Sequence, residues 1–547
     1  MQGSLAHDPT SAASTLGAQV RRLAQASGPP MRAGAAVPSE PSSSPKISAT
    51  QQQIRGSALL LVGRLVSLVF NLATQVLIVR LLSKPDYGAF AYAFSVVMGG
   101  WTLANFGHNQ VLTRFFALYN ERRDYRRLFG TIVMEIATVL TVVGVVFAAL
   151  LLAQPWLSRT AVGDPRAIDV LLVLVFLAPL EALDRLFEGI LAVFSRPRAI
   201  LVRKYLITPM LRLVVVAVLV LVHAPLIDLA IGYVATGAVG IAIYAALALR
   251  LFQRMDLLRL FRVRTLILPF RQVFGFAFPL LSTEFVNLSI NIGSVILLGH
   301  YSGATEVATY RAIFPAAQLN QLVFLTFAVL FVPLATRMYA RNDREGMRSA
   351  YWQTAAWIAV LTFPLFVLTC PLARQTTVTL FGGRYESSAT VLALLSLGYY
   401  VNASLGFNAL TLQTYGRLRF VFKVNVSVAL LNLGLGFALI PRYGAVGAAA
   451  ANASTLVLQN LLNQLGLGRG IGIPIFEWSY VRMYATLAGC AGGLAAIVYL
   501  LSPPLLVSVA LAGVAVTVVV AFNRKRLEVE SLFPELLRIG ILRRVFA

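Results

Sequence analysis

Long apolar segments recur along the chain, separated by short polar connections. A bilayer-spanning helix needs about 20 mostly apolar residues, and about fourteen segments meet that need. They lie near 57–80, 87–110, 128–152, 168–195, 205–222, 228–249, 273–299, 307–335, 351–370, 387–412, 420–440, 444–467, 481–501 and 504–522. Stretches such as TIVMEIATVLTVVGVVFAALLLA, from Thr131 onward, are apolar all round rather than at every second position. That pattern predicts helices and sets aside an outer-membrane barrel, whose strands alternate. The chain reads as an all-α polytopic membrane protein.

The segments also repeat. Span 1, GRLVSLVFNLATQVLI (63–78), aligns with span 7, TEFVNLSINIGSVILL (283–298), at an offset of roughly 220 residues. Val66/Val286, Leu68/Leu288, Asn71/Asn291 and Leu77/Leu297 are identical pairs. SRPR (195–198) matches GRLR (416–419) at nearly the same offset, and Arg212 falls opposite Asn432. Leucine-rich helices align somewhat by chance, but a single offset held over so long a stretch is harder to obtain that way. An even number of spans per repeat keeps both halves in one orientation, related by an axis along the membrane normal. The expected organisation is a disordered cytoplasmic tail at 1–54, then an N-terminal six-helix bundle at 55–250. A basic cytoplasmic linker at 251–272 leads to a C-terminal six-helix bundle at 273–468. Two additional transmembrane helices at 480–522 and a cytoplasmic tail at 523–547 follow. The Ser-, Pro- and Ala-rich tail shows no signal-peptide pattern, and Met31 offers an alternative start.

Composition agrees: 58% of residues are hydrophobic, 12% are charged, and the mean hydropathy is +0.76. A net charge of +24 would suggest nucleic acid if it lay on one surface. Instead RRDYRR (122–127), SRPRAILVRK (195–204), the stretch from Arg250 to Arg271 and NRKR (523–526) fall on alternate connections. With both termini in the cytoplasm, the cytoplasmic segments hold most of the 46 Lys+Arg. This is the positive-inside bias of a multi-pass inner-membrane protein, and basic loops sit well beside anionic membrane lipids. No nucleic-acid partner is expected. Cys370 and Cys490 both lie in apolar spans, so neither a disulfide framework nor a metal site is expected. No cofactor is expected, and the chain carries no Walker motif.

Polar residues inside spans carry the candidate chemistry, because a charge at the bilayer centre is costly. Span 1 carries Arg64, Ser67, Asn71 and Thr74, and span 7 carries Glu284, Asn287, Asn291 and Ser294. Both sets share one helical face at equivalent repeat positions. Two readings stand: a hydrated cleft between the stripes, or interhelical hydrogen-bond glue. Arg212 either faces a cavity or snorkels to the cytoplasmic edge. Arg311 either faces the cavity or anchors at the outer interface. Glu181, Arg185 and Glu188 have the spacing of a neutralising ion triad within one helix. Glu135 is a coupling-ion site or an inner-interface carboxylate.

RLLSKPDYGAFAYAF (80–94), LFGGRYESSATVLALLSLGYY (380–400), YGRLR (415–419) and LIPRYGAVGAAAANAST (439–455) together resemble one family. They resemble the Wzx-type oligosaccharide flippases, in the polysaccharide-transport branch of the multidrug/oligosaccharidyl-lipid/polysaccharide exporter superfamily. The similarity covers about 57–470. The 50-residue tail departs from the family pattern. The resemblance implies two pseudo-symmetric bundles around a central cavity, alternating access, and a polyprenyl-diphosphate-linked glycan as cargo. A polysaccharide polymerase and glycosyltransferases are the expected functional partners. Arginine suits such a cavity, since guanidinium presents a fixed fork of donors to phosphate oxygens. Arg64, with no acidic neighbour one turn away, is the first candidate for the diphosphate, with Arg212 and Arg311 next. Sugar hydroxyls need amide partners. Span 8 offers Gln318, Asn320 and Gln321, and span 12 offers Asn452, Gln459, Asn460, Asn463 and Gln464.

Other functions fit the sequence less well or are close relatives of this one. A membrane polymerase or glycosyltransferase needs catalytic groups on a substantial outer loop, and the outer connections here are short. A multidrug antiporter of the same superfamily usually has twelve spans and an acidic drug site. A lipid II flippase is a near relative that the sequence separates poorly. No catalytic residue is expected.

Overall fold

The computed structural model describes residues 49–104, 115–116, 118–160, 165–193, 200–257, 265–273, 292–474 and 477–527. The chain divides into two units, 1–54 and 55–547. Of the first, only the opening residues of a helix are described. The described residues are almost wholly helical, with no strand among them.

The helices follow the apolar runs. The first half holds α1 (Ala49–Leu81), α2 (Lys84–Ala104), α3 (Tyr125–Thr160), α4 (Pro165–Leu174), α5 (Leu177–Val193), α6 (Thr208–Leu221) and α7 (Leu226–Arg254). The second holds α8 (Ser294–Gln318), α9 (Leu322–Ala340), α10 (Arg344–Thr369), α11 (Ala373–Phe381), α12 (Ser388–Ser404), α13 (Asn408–Thr414) and α14 (Leu418–Ile471). Two more follow, α15 (Trp478–Leu501) and α16 (Leu505–Leu527). Among the described residues, nine helices are long and apolar enough to cross a membrane, or ten if one bent pair counts as a single span. The expected number is larger for identifiable reasons. Much of expected span 7 lies outside the described residues. Spans 11 and 12 run together as α14, which breaks only at Gly444 (φ 53°, ψ −130°). The region of span 4 is divided between α4 and α5 around Phe176. There Pro179 lacks the N–H that would engage the Val175 carbonyl.

Proline also shapes the entry to α6. Pro209 cannot donate to Tyr205, and the preceding turn, Leu201–Ile207, is π-helical, with the Thr208 N–H reaching back to the Arg203 carbonyl. Such wide turns appear mostly as single insertions, frequently at functional sites.

The largest apolar core draws on α1, α2, α4–α7, α8, α11, α12 and α14. Helix α8 is its hub, packed against α2, α12 and α14. Ala304, Ala308, Ala312, Ala316 and Ala317 of α8 and Ala445, Ala448 and Ala449 of α14 are all buried. Small side chains permit the close helix approach on which membrane packing depends. Gly88 of α2 shows how close: a Cβ there would collide with the Ala304 carbonyl, next to the backbone break at Gly303. Helices α15 and α16 pack on α10 in a separate cluster around Phe363, Met483 and Leu487. Leu221, Leu430, Phe437 and Leu506 are exposed, as lipid-facing positions require. The protein is a multi-pass membrane protein.

Candidate functional site

Two cavities meet at Asn71 and Arg212, which line both. The first, about 270 Å³, lies between the two halves. Helix α1 contributes Asn71, Thr74 and Gln75, α2 contributes Tyr87, Phe90 and Phe94, and α6 and α7 contribute Arg212 and Tyr233. From the second half, α8 contributes Arg311, Phe314, Pro315 and Gln318. One wall is aromatic: the Phe90 and Tyr233 rings meet edge to face at 5.2 Å. Amides and guanidinium groups share the lining with these rings. Arg212 sits over the Tyr233 ring at 4.7 Å, and Arg311 over Phe314 at 5.2 Å. Aromatic faces hold the two cations without neutralising them. The Arg212 Nε is buried with no hydrogen-bond partner among the described residues. Gln75 donates to the Tyr87 hydroxyl and to the Arg311 and Ala312 carbonyls, so it spans the interface between α1 and α8.

The second cavity, about 210 Å³, lies within the first half. Its wall includes Ser67 and Asn71 of α1, Glu181 and Asp184 of α5, and Arg203, Lys204, Thr208 and Arg212 of the π-turn and α6. Asn71 donates to the Ser67 hydroxyl at 3.1 Å. Arg203 is only 4% exposed; it pairs with Asp184, donates to the Gly240 carbonyl at 3.0 Å and lies over the Tyr244 ring at 4.0 Å. Lys204 is partly exposed and donates to both carboxylate oxygens of Glu188, at 2.7 and 2.6 Å.

Away from both cavities, at the end where α1 meets α2, the halves interlock. Arg80 donates to the Leu380 carbonyl at 2.8 Å and to the Thr379 carbonyl, both in the last turn of α11. Arg384 donates to the Val79 carbonyl at 2.5 Å, in the last turn of α1. Each arginine therefore caps the C-terminus of a helix in the other half, where carbonyls lack intrahelical partners and the dipole favours a cation. Lys84 lies over the Tyr385 ring at 5.4 Å. Burial pushes the Tyr385 phenol up to about 12, against the lowering pull of Arg384. Glu306 of α8 accepts the Ala445 N–H at 2.8 Å, just past the break in α14.

Of the residues singled out in the sequence, Asn71, Arg212, Arg311 and Gln318 line the central cavity. Arg64 is exposed and lines neither cavity; it lies on α1 about two turns from Asn71, toward Ala49. Glu284, Asn287 and Asn291 lie outside the described residues. Three readings need correction. Glu181, Arg185 and Glu188 form no triad: Glu188 holds Lys204, Arg185 lies over the Trp101 ring at 5.0 Å, and Glu181 faces the second cavity. Four of the five amides of span 12 are glue rather than cavity lining. Asn452 donates to the Tyr310 hydroxyl, Gln459 to Asn425, Asn460 to Asn402, and Gln464 accepts from Tyr351. Asn320 is likewise buried and donates to Thr369. Sequence reasoning also missed Arg203 and Lys204, counting them as loop charges. The available signal was the four-residue spacing of Lys204, Thr208 and Arg212.

Comparison with known proteins follows the same lines. Stage V sporulation protein B of Bacillus subtilis is 23% identical over 480 residues, covering 81% of this chain and 88% of that protein. An uncharacterized membrane protein of Methanocaldococcus jannaschii is 28% identical over 158 residues, covering 28% of this chain and only 31% of that protein. The solved structure of the lipid II flippase MurJ, in an inward closed conformation, superposes with a TM-score of 0.65 at 14% identity. That superposition covers 86% of this chain and 100% of MurJ, and the two share a fold. The family described as "Polysaccharide biosynthesis protein" matches residues 54–339, more than half the chain. This chain belongs to the polysaccharide biosynthesis protein family.

Proposed function

We propose that the protein is a flippase for polyprenyl-diphosphate-linked oligosaccharide, acting by alternating access in the bacterial inner membrane during surface polysaccharide biosynthesis. The observation that carries this reading is the convergence of Arg212 and Arg311, from opposite halves of the chain, on one cavity with Asn71 and Gln318. A diphosphate crossing a low-dielectric region needs fixed cationic donors, and two guanidinium groups without carboxylate partners among the described residues supply them. The amides and the aromatic wall suit a sugar, with its hydroxyls and its apolar ring face. Arg64 is assigned an approach role, on the cytoplasmic side of the cavity. We infer a fourteen-span topology with both termini inside, in which the Arg80–Arg384 end is the outer face. A cationic drug fits this cavity poorly, because guanidinium groups dominate its charge. A lipid II flippase remains the alternative cargo assignment.

The test is export in cells lacking the native gene. Arg212→Ala with Arg311→Ala should abolish surface glycan, with lipid-linked oligosaccharide accumulating inside and normal protein abundance. Wild-type export by that double variant would overturn the assignment.

A further inference from the structure

We propose that Lys204, Thr208 and Arg212 form a ladder of donors, a distinct entry subsite that takes a phosphate group at the basic end and passes it to the central cavity. The inference rests on the flippase reading above. The three residues are spaced i, i+4, i+8, and all three line the second cavity. At about 1.5 Å rise per residue, the ladder runs roughly 12 Å along the helix. Its top rung, Arg212, lines the central cavity as well, so the two spaces share a donor.

The rungs hold donors beyond those that the described side chains engage. The Thr208 Oγ1 and the Arg212 Nε are both buried without a hydrogen-bond partner among the described residues. Buried polar groups are normally satisfied by protein or by water, so two such atoms one turn apart beside a cavity are donors in excess of the protein's own acceptors. The Lys204 ammonium has three donors, and the two bonds to Glu188 leave one over. Arg203, the neighbouring residue, is the contrast. Its ion pair with Asp184, its bond to Gly240 and its ring contact with Tyr244 hold it in the protein's own structure. Both residues of the π-turn line the cavity, and they differ in how far the protein's own acceptors already engage them. Carboxylates supply the counter-charge. Glu181 and Asp184 line the same wall and Glu188 holds Lys204, so an arriving anion competes with side chains already there.

The competition gives a test that a merely damaged fold would not pass. The full-length protein, in lipid nanodiscs, is titrated with farnesyl diphosphate as the probe. Thr208→Val should weaken binding about 3- to 10-fold, the loss of one hydroxyl bond. Lys204→Gln combined with Glu188→Gln, which leaves no uncompensated charge, should weaken it about tenfold and flatten its salt dependence. Glu188→Gln alone should tighten binding, because it frees Lys204. Thr336→Val is the control: that exposed hydroxyl bonds only within its own helix, and the variant should bind as wild type. If Arg212→Gln weakens binding while the Lys204, Thr208 and Glu188 variants all bind as wild type, the ladder is overturned and the flippase reading stands. If the wild type does not bind the probe, or Arg212→Gln binds it equally well, both fall.

Discussion

The reciprocal arginine caps should hold shut the end of the protein that the proposed topology puts outside, and removing them should open it by a calculable amount. Arg80 and Arg384 each donate to carbonyls in the last turn of a helix in the opposite half. A hydrogen bond to a charged group contributes about 1.5–3 kcal/mol when buried, and a cation at an exposed helix end about 0.3–1 kcal/mol. Arg80 and Arg384 are both exposed, so solvent screening puts the pair nearer the lower range, together about 1.5 kcal/mol. That corresponds to roughly a tenfold change in the ratio of closed to open protein. The perturbation is Arg80→Gln with Arg384→Gln, in a background carrying Gln318→Cys and no other cysteine. The assay is the rate at which a membrane-impermeant maleimide, added outside, labels position 318 in the central cavity. Labelling should be about tenfold faster in the double variant, and raising the salt should narrow the difference by screening the caps of the parent. Equal rates in variant and parent, with both proteins folded, would refute the reasoning.

Two further substitutions probe stability. Asp184→Asn should lower the melting temperature in detergent markedly, because it strands the buried Arg203 charge at a cost of about 3–5 kcal/mol. Asp184→Leu with Arg203→Met should recover most of that loss, and failure of the double variant to recover would show that the pair itself stabilises. Asn452→Ala, which removes the bond to the Tyr310 hydroxyl, should cost about 0.6–1.7 kcal/mol by the same measurement and leave export per molecule unchanged; a selective loss of export would put Asn452 at the cargo.

Helical spans were legible because a bilayer demands long apolar runs whatever their neighbours. The polar positions inside those runs were legible too: Asn71, Arg212, Arg311 and Gln318 stand out by residue type alone. What type could not reveal was partnership. Asn452 and Gln318 are both amide-bearing residues in apolar spans, yet one is sealed against Tyr310 and the other faces a cavity. Only the position of the neighbouring helix decides between them. Arg203 and Lys204 were hidden for a different reason. They lie at the edge of an apolar run, where a charge resembles a loop residue, and the π-turn that carries them leaves no mark in a hydropathy profile. The arginine caps were equally hidden, since their acceptors are backbone carbonyls some 300 positions away along the chain.

The two positions that the 220-residue offset aligns, Arg212 and Asn432, have different surroundings. Asn432 stands opposite Arg212 in the alignment of the halves, yet it is buried and donates to Thr455 at 3.0 Å, as an internal fastener. The second half supplies its cation from another helix, α8, through Arg311. An anion gripped by both arginines is thus a strut between bodies that no longer mirror each other at this level. Its affinity becomes a gauge of how far apart the two guanidinium groups stand. By linkage, such an anion must favour whichever state brings them together by the same factor that this state favours the anion. Cargo release then needs no dedicated expulsion step at the site: parting the halves at the depth of the cavity is enough to lose one of the two grips.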